Sequence, residues 1–321
     1  MTKKHVDNKI KSSHPVDVVI LWVDGEDQNH KAKMLPYLEQ KEKIQSKSFR
    51  TRFDQVNEIQ YTIDSILKFA PFVRQIFLVT DNQIPEFLNN KKNQDQYRTV
   101  TTVDHKEIFK EHETYLPTFN CRSIESCLFR IPNLSEHFIY FNDDFFLINE
   151  TKIEDFFIIG LPVLRGRWKS FDENKFYKKF KTQRKGHKFA QQLAAKLVGF
   201  NAYYNFRHTP HPMRKSTFET FFKINPEIFH RNIKYRFRNI NQFTPQGLAN
   251  HIEIKNKSCV LKKDRRLLYF RSYKKPLLWY KLKLNLFSKN KLFFASQSLD
   301  LCPPKKCKYI LNWLKNKIHP Q

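Results

Sequence analysis

The chain has 321 residues, of which 40% are hydrophobic and 15% aromatic, and it carries 58 Lys and Arg against 31 Asp and Glu. This apolar content excludes a disordered protein. The formal net charge of +27 either favours anionic partners such as nucleic acid, acidic lipid or phosphorylated sugars, or reflects a general Lys- and Asn-rich composition of the source genome. Only 6 glycines occur, and neither GxxxxGK[ST] nor GxGxxG is present, so the common glycine-rich phosphate loops are excluded.

The cysteines and the apolar runs indicate the cellular compartment of the protein. The 5 cysteines are scattered without any CxxC, a pattern typical of reduced thiols in a cytosolic protein. Val18–Val23 is too short for the core of a signal peptide, and no run approaches the length of a membrane span. We therefore expect a cytoplasmic protein.

Short strands and helices alternate along the first half of the chain. After a polar arm at 1–15, the pattern predicts strands at 16–23, 74–82, 98–105 and 138–147, with helices at 31–48, 57–70 and 123–130. Such alternation predicts an α/β fold with a largely parallel sheet.

The second half of the chain is more basic. Residues 165–200 and most of 206–254 are predicted to be helical, with proline breaks. We expect one catalytic domain at 16–270, its second half helical, followed by a basic amphipathic segment at 271–321 that packs on it.

Three of the predicted strands end in acidic residues: Asp24, Asp81 and the pair Asp143-Asp144. In an open parallel sheet, ligands bind beyond the carboxyl ends of the strands, so these acids are candidate site residues. The pair interrupts the apolar run FIYFNDDFFL, where a buried carboxylate is costly unless it is paired or bound to a metal. Asp143 and Asp144 either bind Mg²⁺ or Mn²⁺ against a diphosphate or cap a turn by accepting from backbone amides.

Other candidates also have two interpretations. Asp24 either contacts a uridine or ribose or terminates its strand, and Arg52 either binds phosphate or is a surface base. His208 and His211, in the proline-held loop RHTPHP, suit proton transfer or are ordinary loop histidines.

Several blocks together resemble the Stealth family of sugar-1-phosphate transferases of capsule and surface polysaccharide synthesis. The segments DVVILWVDGED, RFDQVNEIQYTIDSILKFAPFV and LPTFNCRSIESCLFR through FIYFNDDFFL resemble its first two blocks. HTPHPMRKSTFETFFKINPEIF resembles the third block and SQSLDLCPPKKCKYILNWLKNKIHP, more faintly, the fourth. The resemblance implies a glycosyltransferase-A-like nucleotide-sugar-binding sheet, a UDP-sugar donor, a polysaccharide or lipid-linked oligosaccharide acceptor, and release of UMP.

The resemblance also implies roles for individual residues. Asp143 and Asp144 would hold the metal, His208 would be the base, and Arg238 would stabilise the phosphate. The residues implied in substrate binding are Asp24, Gly25, Arg52, Asn57, Glu58, Asn120, Glu125, Asn142 and His211. The chain departs from the family at Cys127 and Phe129, where histidines are common, at Tyr235, where histidine is frequent, and at Asp64, where arginine is usual.

Two other functions are consistent with parts of the sequence. A metal-dependent glycosyltransferase of the same fold would release UDP instead of UMP. A nucleic-acid-binding protein would suit the basic charge but leaves the acid-tipped strands unexplained, so we expect no specific nucleic acid partner. The segment PLLWYKLKLNLF either rests on acidic inner-membrane lipid or packs on the domain as a strand.

Overall fold

The structure, a computed structural model, describes residues 14–38, 58–174 and 186–320. The strands of these ranges are β1 (Val16–Leu21), β2 (Val73–Thr80), β3 (Val100–Asp104), β4 (His137–Phe141), β5 (Phe145–Leu147), β6 (Phe157–Ile158), β7 (Leu161–Ser170), β8 (Ala202–Phe206), β9 (His211–Arg214), β10 (Val260–Lys262), β11 (Leu267–Phe270) and β12 (Phe293–Ser296). The helices are α1 (Gln28–Met34), α2 (Glu58–Phe69), α3 (Glu86–Asn89), α4 (His105–Ile108), α5 (Cys121–Cys127), α6 (His187–Leu197), α7 (Lys215–Ile224), α8 (Pro226–Ile233), α9 (Pro245–Lys255), α10 (Leu277–Phe287) and α11 (Pro304–Ile318).

The main sheet has five strands in the order β3-β2-β1-β4-β9. The first four run parallel, and β9 is antiparallel to β4. The predicted α/β fold with a largely parallel sheet is therefore confirmed. Of the predicted polar arm, all but residues 14 and 15 lies outside the described residues, as does the predicted helix beyond residue 38.

Both faces of the main sheet are buried, which explains its continuous apolar strands. Along β1, Val18 and Ile20 enter one core, whereas Val19 enters the other. Along β2, Leu78 enters the first of these cores and Phe77 enters the second. Because successive side chains of a strand point to opposite faces, each strand links the two cores.

Helices cover both faces of this sheet. The predicted helix before Pro71 is α2, and its residues Ile59, Ile63 and Ile66 recur at helical spacing and are buried. It packs with β5, β11 and β12 and the C-terminal helices in the first core. Residues of α4 to α9 fill the second core.

The predicted strand at 138–147 is two strands. β4 belongs to the main sheet, whereas β5 pairs with β12 in a three-stranded sheet. The backbone N–H of Phe145 donates to the carbonyl of Asn142 at 3.2 Å, so the chain turns at Asn142, Asp143 and Asp144. The polar residues therefore end one sheet and begin another.

The helical prediction for residues 165–200 is wrong for its first part. Leu161–Ser170 is a strand that pairs with β8 and β10, and His187–Leu197 is helical, whereas 175–185 lie outside the described residues. Charged residues alternate with others in RGRWK, which is the period of a strand. At Gly166, an added Cβ would lie 2.6 Å from the carbonyl oxygen of Asn205, so the close approach of β8 requires glycine here.

The strand interpretation of PLLWYKLKLNLF is also wrong, because this segment forms α10. Tyr280 and Leu284, four residues apart, are its fully buried residues, and helical spacing places them on one side. Among the described residues, no helix is long and apolar enough to cross a bilayer.

One buried carboxylate joins the amino-terminal ends of three strands. Asp17 in β1 is fully buried and accepts from Arg74 Nε at 2.9 Å and from Arg74 Nη2 at 2.7 Å. It also accepts from the backbone N–H of Ser135 at 2.7 Å, just before β4. These contacts lie at the end of the sheet opposite to its carboxyl edge.

We predict that Asp17→Ala lowers the free energy of unfolding by about 3 kcal/mol, because the buried N–H of Ser135 loses its acceptor and the Arg74 guanidinium keeps only the carbonyl of Asn133. Urea unfolding measures this. Glu219→Ala, which removes a surface pair with Lys215 within α7, is the matched control and should change stability by less than about 0.5 kcal/mol. Equal effects of the two substitutions would contradict the structural role of Asp17.

Candidate active site

A cavity of about 890 Å³ opens at the carboxyl ends of the main-sheet strands. Residues 21–23 at the end of β1 and Val79 of β2 contribute to its lining, as do four residues around the end of β4: Tyr140, Asn142, Asp143 and Phe145. The remaining walls come from α5, the start of α6, the loop at 205–211 and residues around 238 and 270. The position agrees with the edge at which open parallel sheets bind ligands.

The structure brings six of the predicted residues together along this cavity: Glu125, Asn142, Asp143, His208, His211 and Arg238. They come from segments up to 113 residues apart in the chain, since Glu125 lies on α5 and Arg238 follows α8. The cavity is therefore a candidate active site assembled by the fold.

Asp143 and Asp144 lie in the turn between β4 and β5. Thr62 of α2 donates its hydroxyl to the carbonyl oxygen of Asp143 at 2.6 Å, which holds the turn against the helix. The carboxyl of Asp144 is bonded by the side chain of Asn142. Its atom Oδ1 is buried without a hydrogen-bond partner among the described residues.

Burial raises the pKa of both carboxyl groups. The pKa of Asp143 rises to about 6. The pKa of Asp144 rises well above its ordinary value through burial and, next, through the negative charges of Asp143 and Glu58. A bound cation would remove this cost, so the unsatisfied oxygen and the raised pKa values fit a divalent metal.

The protein ligands alone do not form a closed metal cage. Within 14–38, 58–174 and 186–320 there is no cluster of three or more His, Cys, Asp or Glu side chains suited to a metal ion. Two carboxylates with remaining positions left to phosphate oxygens and water are the usual donors for Mg²⁺ in nucleotide sites. The donor set therefore suits a cation that arrives with a phosphorylated ligand.

His208 and His211 are held in the connection from β8 to β9 and at the start of β9. The ring of His208 contacts Phe145 edge-on, with centroids 4.6 Å apart, and lies 5.1 Å from the ring of Tyr269. Burial lowers the pKa of His208 to about 4, and its Nε2 has no hydrogen-bond partner in the described part of the chain. A neutral imidazole with a free nitrogen can accept a proton at neutral pH. Burial likewise lowers the pKa of His211, to about 3, and the neighbouring His187 and His208 contribute to this shift.

Arg238 reaches into the cavity beside α5. Its Nη2 donates to Cys121 Sγ at 3.0 Å, and no salt bridge among the described residues includes this guanidinium. Glu125, one helical turn from Cys121, accepts from the hydroxyl of Tyr140 at 2.9 Å, and burial raises its pKa. The guanidinium is therefore available to an anionic ligand.

Four predicted residues outside the metal pair do not line the cavity. Asp24 accepts from the backbone N–H of Glu26 at 2.9 Å and so stabilises the turn after β1, in which Gly25 is buried. Glu58, in the first turn of α2, is buried and adds its charge near Asp144. Asp144 itself also lies outside the lining.

Asn120 is the fourth of these residues and is fully buried. Its amide donates to the carbonyls of Tyr235 and Phe237 at 3.0 Å each, and its Oδ1 caps α5. These bonds anchor the segment that carries Arg238, so Asn120 acts here through the backbone of that segment.

Arg52 and Asn57 lie outside the described residues. The four departures from the family pattern lie away from the cavity lining: Cys127 is buried in the second core, Phe129 packs against it, and Asp64 accepts from the hydroxyl of Tyr97 at 2.8 Å. Tyr235 presents its carbonyl to Asn120 and to Ser123. The cavity thus keeps the histidines of the RHTPHP loop as candidate bases.

Sequence reasoning missed several lining residues, among them Cys121, Tyr140, His187, Tyr269 and Arg271. Tyr140 had a usable signal, because it lies two residues before Asn142 and hence on the same face of the strand. The others lie in segments without a strand-end or loop signature, and only the folded chain places them at the cavity.

A family model and the curated relatives of this chain indicate the same protein family. Residues 52–161 match the model described as Stealth protein CR2, conserved region 2. Capsular polysaccharide phosphotransferase fcs1 of Haemophilus influenzae is 39% identical over 234 residues, 71% of this chain and 62% of that protein. Exopolysaccharide phosphotransferase cps2G of Lactiplantibacillus plantarum is 32% identical over 255 residues, 71% of this chain and 72% of that protein.

The extent of these matches differs between the relatives. The chain spans less than two thirds of the length of fcs1. Among solved structures, galactosyltransferase LgtC in complex with donor and acceptor sugar analogues is matched over 94% of this chain and 95% of its own, with a TM-score of 0.43 and 10% identity. A likeness at this level says nothing about chemistry.

The raised pKa values of the acid pair generate a prediction about pH. Between about pH 4 and the folded pKa values, the folded state keeps protons that the unfolded chain has lost, so stability falls as pH rises. In chelator, Asp144→Asn should therefore be more stable than the wild type at pH 8 by about 1 kcal/mol, a difference that vanishes near about pH 3. Urea unfolding across pH measures it.

The control for this experiment is Asp95→Asn, at an exposed position. Mg²⁺ should stabilise the wild type at pH 8 and leave Asp144→Asn unchanged. If the free energy of unfolding depends on pH in the same way for the wild type and for Asp144→Asn, the folded state does not raise the pKa of Asp144.

Proposed function

Because the chain belongs to the Stealth family of polysaccharide phosphotransferases, we propose that it transfers sugar-1-phosphate from a UDP-sugar to a hydroxyl of a bacterial capsular or surface polysaccharide acceptor. The product is a phosphodiester, and UMP is released. The observation that carries this proposal is one cavity lined by Asp143 of a carboxylate pair suited to a cation, by a neutral histidine and by an arginine without a salt-bridge partner among the described residues. Phosphoryl transfer requires positioning and charge stabilisation, and these are the groups that supply both.

We assign the nucleotide-binding part of a glycosyltransferase-A-like site to the ends of β1 and β4. Asp24 and Gly25 shape the turn there, while Trp22 and Val23 beside them line the cavity. Arg52 and Asn57 keep their proposed place in substrate binding on the family resemblance alone. Glu125 and Asn142 face the donor, and His211 faces the substrate. Asn120 and Glu58 support the walls of the cavity.

Asp143 and Asp144 would hold Mg²⁺ or Mn²⁺, which supplies positive charge to the diphosphate of the donor. Side chains of this protein carry out the proton transfer and stabilise the charge on the phosphoryl oxygens. In the proposed step the acceptor oxygen bonds to the phosphorus that carries the sugar, and the bond from that phosphorus to the UMP oxygen breaks.

His208 takes the proton of the attacking hydroxyl at Nε2, the nitrogen that has no partner within the described ranges. Its low pKa keeps the imidazole neutral before the reaction, and contacts with Phe145 and Tyr269 fix the ring plane. Arg238 stabilises the negative charge on the phosphoryl oxygens with its planar guanidinium. Cys121 and the anchored segment after α8 position Arg238.

We place this reaction in a catalytic domain at 16–270, preceded by a basic arm at 1–15, on the cytoplasmic side of the membrane. The segment 271–321 packs on that domain, and the pairing of β12 with β5 and β11 supports this arrangement. The acceptor is a polysaccharide or a lipid-linked oligosaccharide. The presence of five unpaired cysteines is consistent with a reducing compartment.

Product analysis with a panel of UDP-sugars tests the reaction. We predict release of UMP that depends on Mg²⁺ or Mn²⁺ and falls at least about 1,000-fold in Asp143→Ala/Asp144→Ala, because the site loses its cation. Glu150→Ala, at an exposed position near the same turn, is the control and should retain activity. Release of UDP instead would contradict phosphoryl transfer and indicate attack at the sugar carbon.

Single substitutions test the two assigned catalytic groups. We predict that His208→Asn lowers kcat about 1,000-fold and that Arg238→Gln lowers it about 100-fold, with little change in KM for the donor. His230→Asn and Arg231→Gln, both exposed outside the cavity, are the matched controls. Retention of kcat in His208→Asn would assign the base to another group, and His211→Asn would then be the next variant to measure.

A further inference from the structure

The helix α10 presents an apolar face to solvent. Leu278, Leu282 and Leu286 recur every four residues and are 65%, 49% and 63% exposed. Trp279 lies beside this row and is 39% exposed, and Phe287, farther round the helix beyond Lys283, is 56% exposed. The opposite side of α10 is already used, because its fully buried residues pack in the first core.

This concentration of exposed apolar side chains is unusual within the molecule. The other large exposed hydrophobic residues of the described ranges are spread over several elements, with at most two on any one of them: Leu35, Tyr37, Ile84, Ile159, Trp168, Ile224, Leu261 and Leu301. Scattered apolar residues are normal on a protein surface, whereas a continuous stripe marks an interaction site. The outer face of α10 is therefore a candidate interaction surface.

Lysines border the stripe on both sides. At 100° per residue, Lys281 and Lys283 flank the leucine row, and Lys283 Nζ lies 5.5 Å from the ring centre of Trp279. Further lysines precede the helix at 274 and 275 and follow it at 289 and 291. No Asp or Glu occurs between Asp264 and Asp300, so this stretch of the chain is uniformly basic.

We propose that the outer face of α10 docks on an acidic lipid bilayer, with Leu278, Leu282, Leu286 and Trp279 entering the interface between headgroups and acyl chains. Apolar residues flanked by lysines are the composition that binds such a surface. A second copy of this chain would bring two basic patches together, and their repulsion disfavours a dimer through this face. The partner that complements both the apolar stripe and the positive charge is anionic lipid.

This docking would place the cavity close to the membrane. Tyr269 and Arg271 line the cavity, and α10 begins six residues after Arg271. A chain of this length spans at most about 20 Å. A membrane-bound enzyme could thus present its cavity to an acceptor held by a lipid, although the docking itself does not depend on which bond the enzyme breaks.

Cosedimentation of the full chain with vesicles tests the proposal without any substrate. We expect binding to vesicles of mixed phosphatidylglycerol and phosphatidylcholine, weak binding to phosphatidylcholine alone, and weakening by salt. Leu278→Gln/Leu282→Gln/Leu286→Gln should lower the partition coefficient about 100-fold. Ile224→Gln/Leu261→Gln removes exposed apolar residues elsewhere and should bind as the wild type does. Thermal unfolding shows whether each variant is folded.

Fluorescence locates the contact. Brominated acyl chains should quench the emission of Trp279, and Trp279→Phe should still bind but lose this quenching. Unchanged binding of the folded triple leucine variant would overturn the proposal, as would quenching that persists in Trp279→Phe. The proposal would also be overturned if the wild type is a dimer that does not bind anionic vesicles and the triple leucine variant is a monomer. That result would assign the face to a second copy of the chain.

Discussion

The turn at Asn142, Asp143 and Asp144 is the constraint on which the rest of the site depends. Here the chain leaves the main parallel sheet and enters the three-stranded sheet, so the acids occupy the junction of two sheets. Thr62 holds the turn against α2, and burial leaves Asp144 Oδ1 without a partner among the described residues. A fold that retains an unsatisfied carboxylate oxygen at such a junction carries a cost in stability, which a bound cation would offset.

Burial acts in opposite directions on the acid pair of the turn and on the histidines that line the cavity. It raises the pKa of Asp143 and Asp144 and lowers the pKa of His208 and His211, because the charged form of each group loses hydration. Arg238 keeps its charge under the same conditions, since a guanidinium is not deprotonated in proteins. The cavity therefore combines a fixed cation with a neutral base, which suits transfer of a negatively charged group.

The polar support of the cavity is built from residues that hold other residues in place. Asn120 caps α5 and holds two carbonyls of the segment before Arg238, so the helix and the guanidinium are positioned by one side chain. Glu125 is held by Tyr140 from the main sheet. At the amino-terminal end of that sheet, Asp17 joins three strands by accepting from Arg74 and Ser135. The cavity forms at the opposite, carboxyl edge.

Local patterns in the sequence determined the parallel sheet, the helix α2, and the placement of Asp143 and Asp144 at a strand end, because these depend on periods of two and 3.6 residues. They did not determine that 138–147 divides between two sheets, that 161–170 is a strand, or that α10 is a helix with one face outward. Those outcomes depend on partners distant in the chain, such as β12 for β5 and β8 for β7. Likewise, only the tertiary structure decided which candidates share a cavity, since the contact of His208 with Phe145 and of Arg238 with Cys121 joins segments that no local pattern relates.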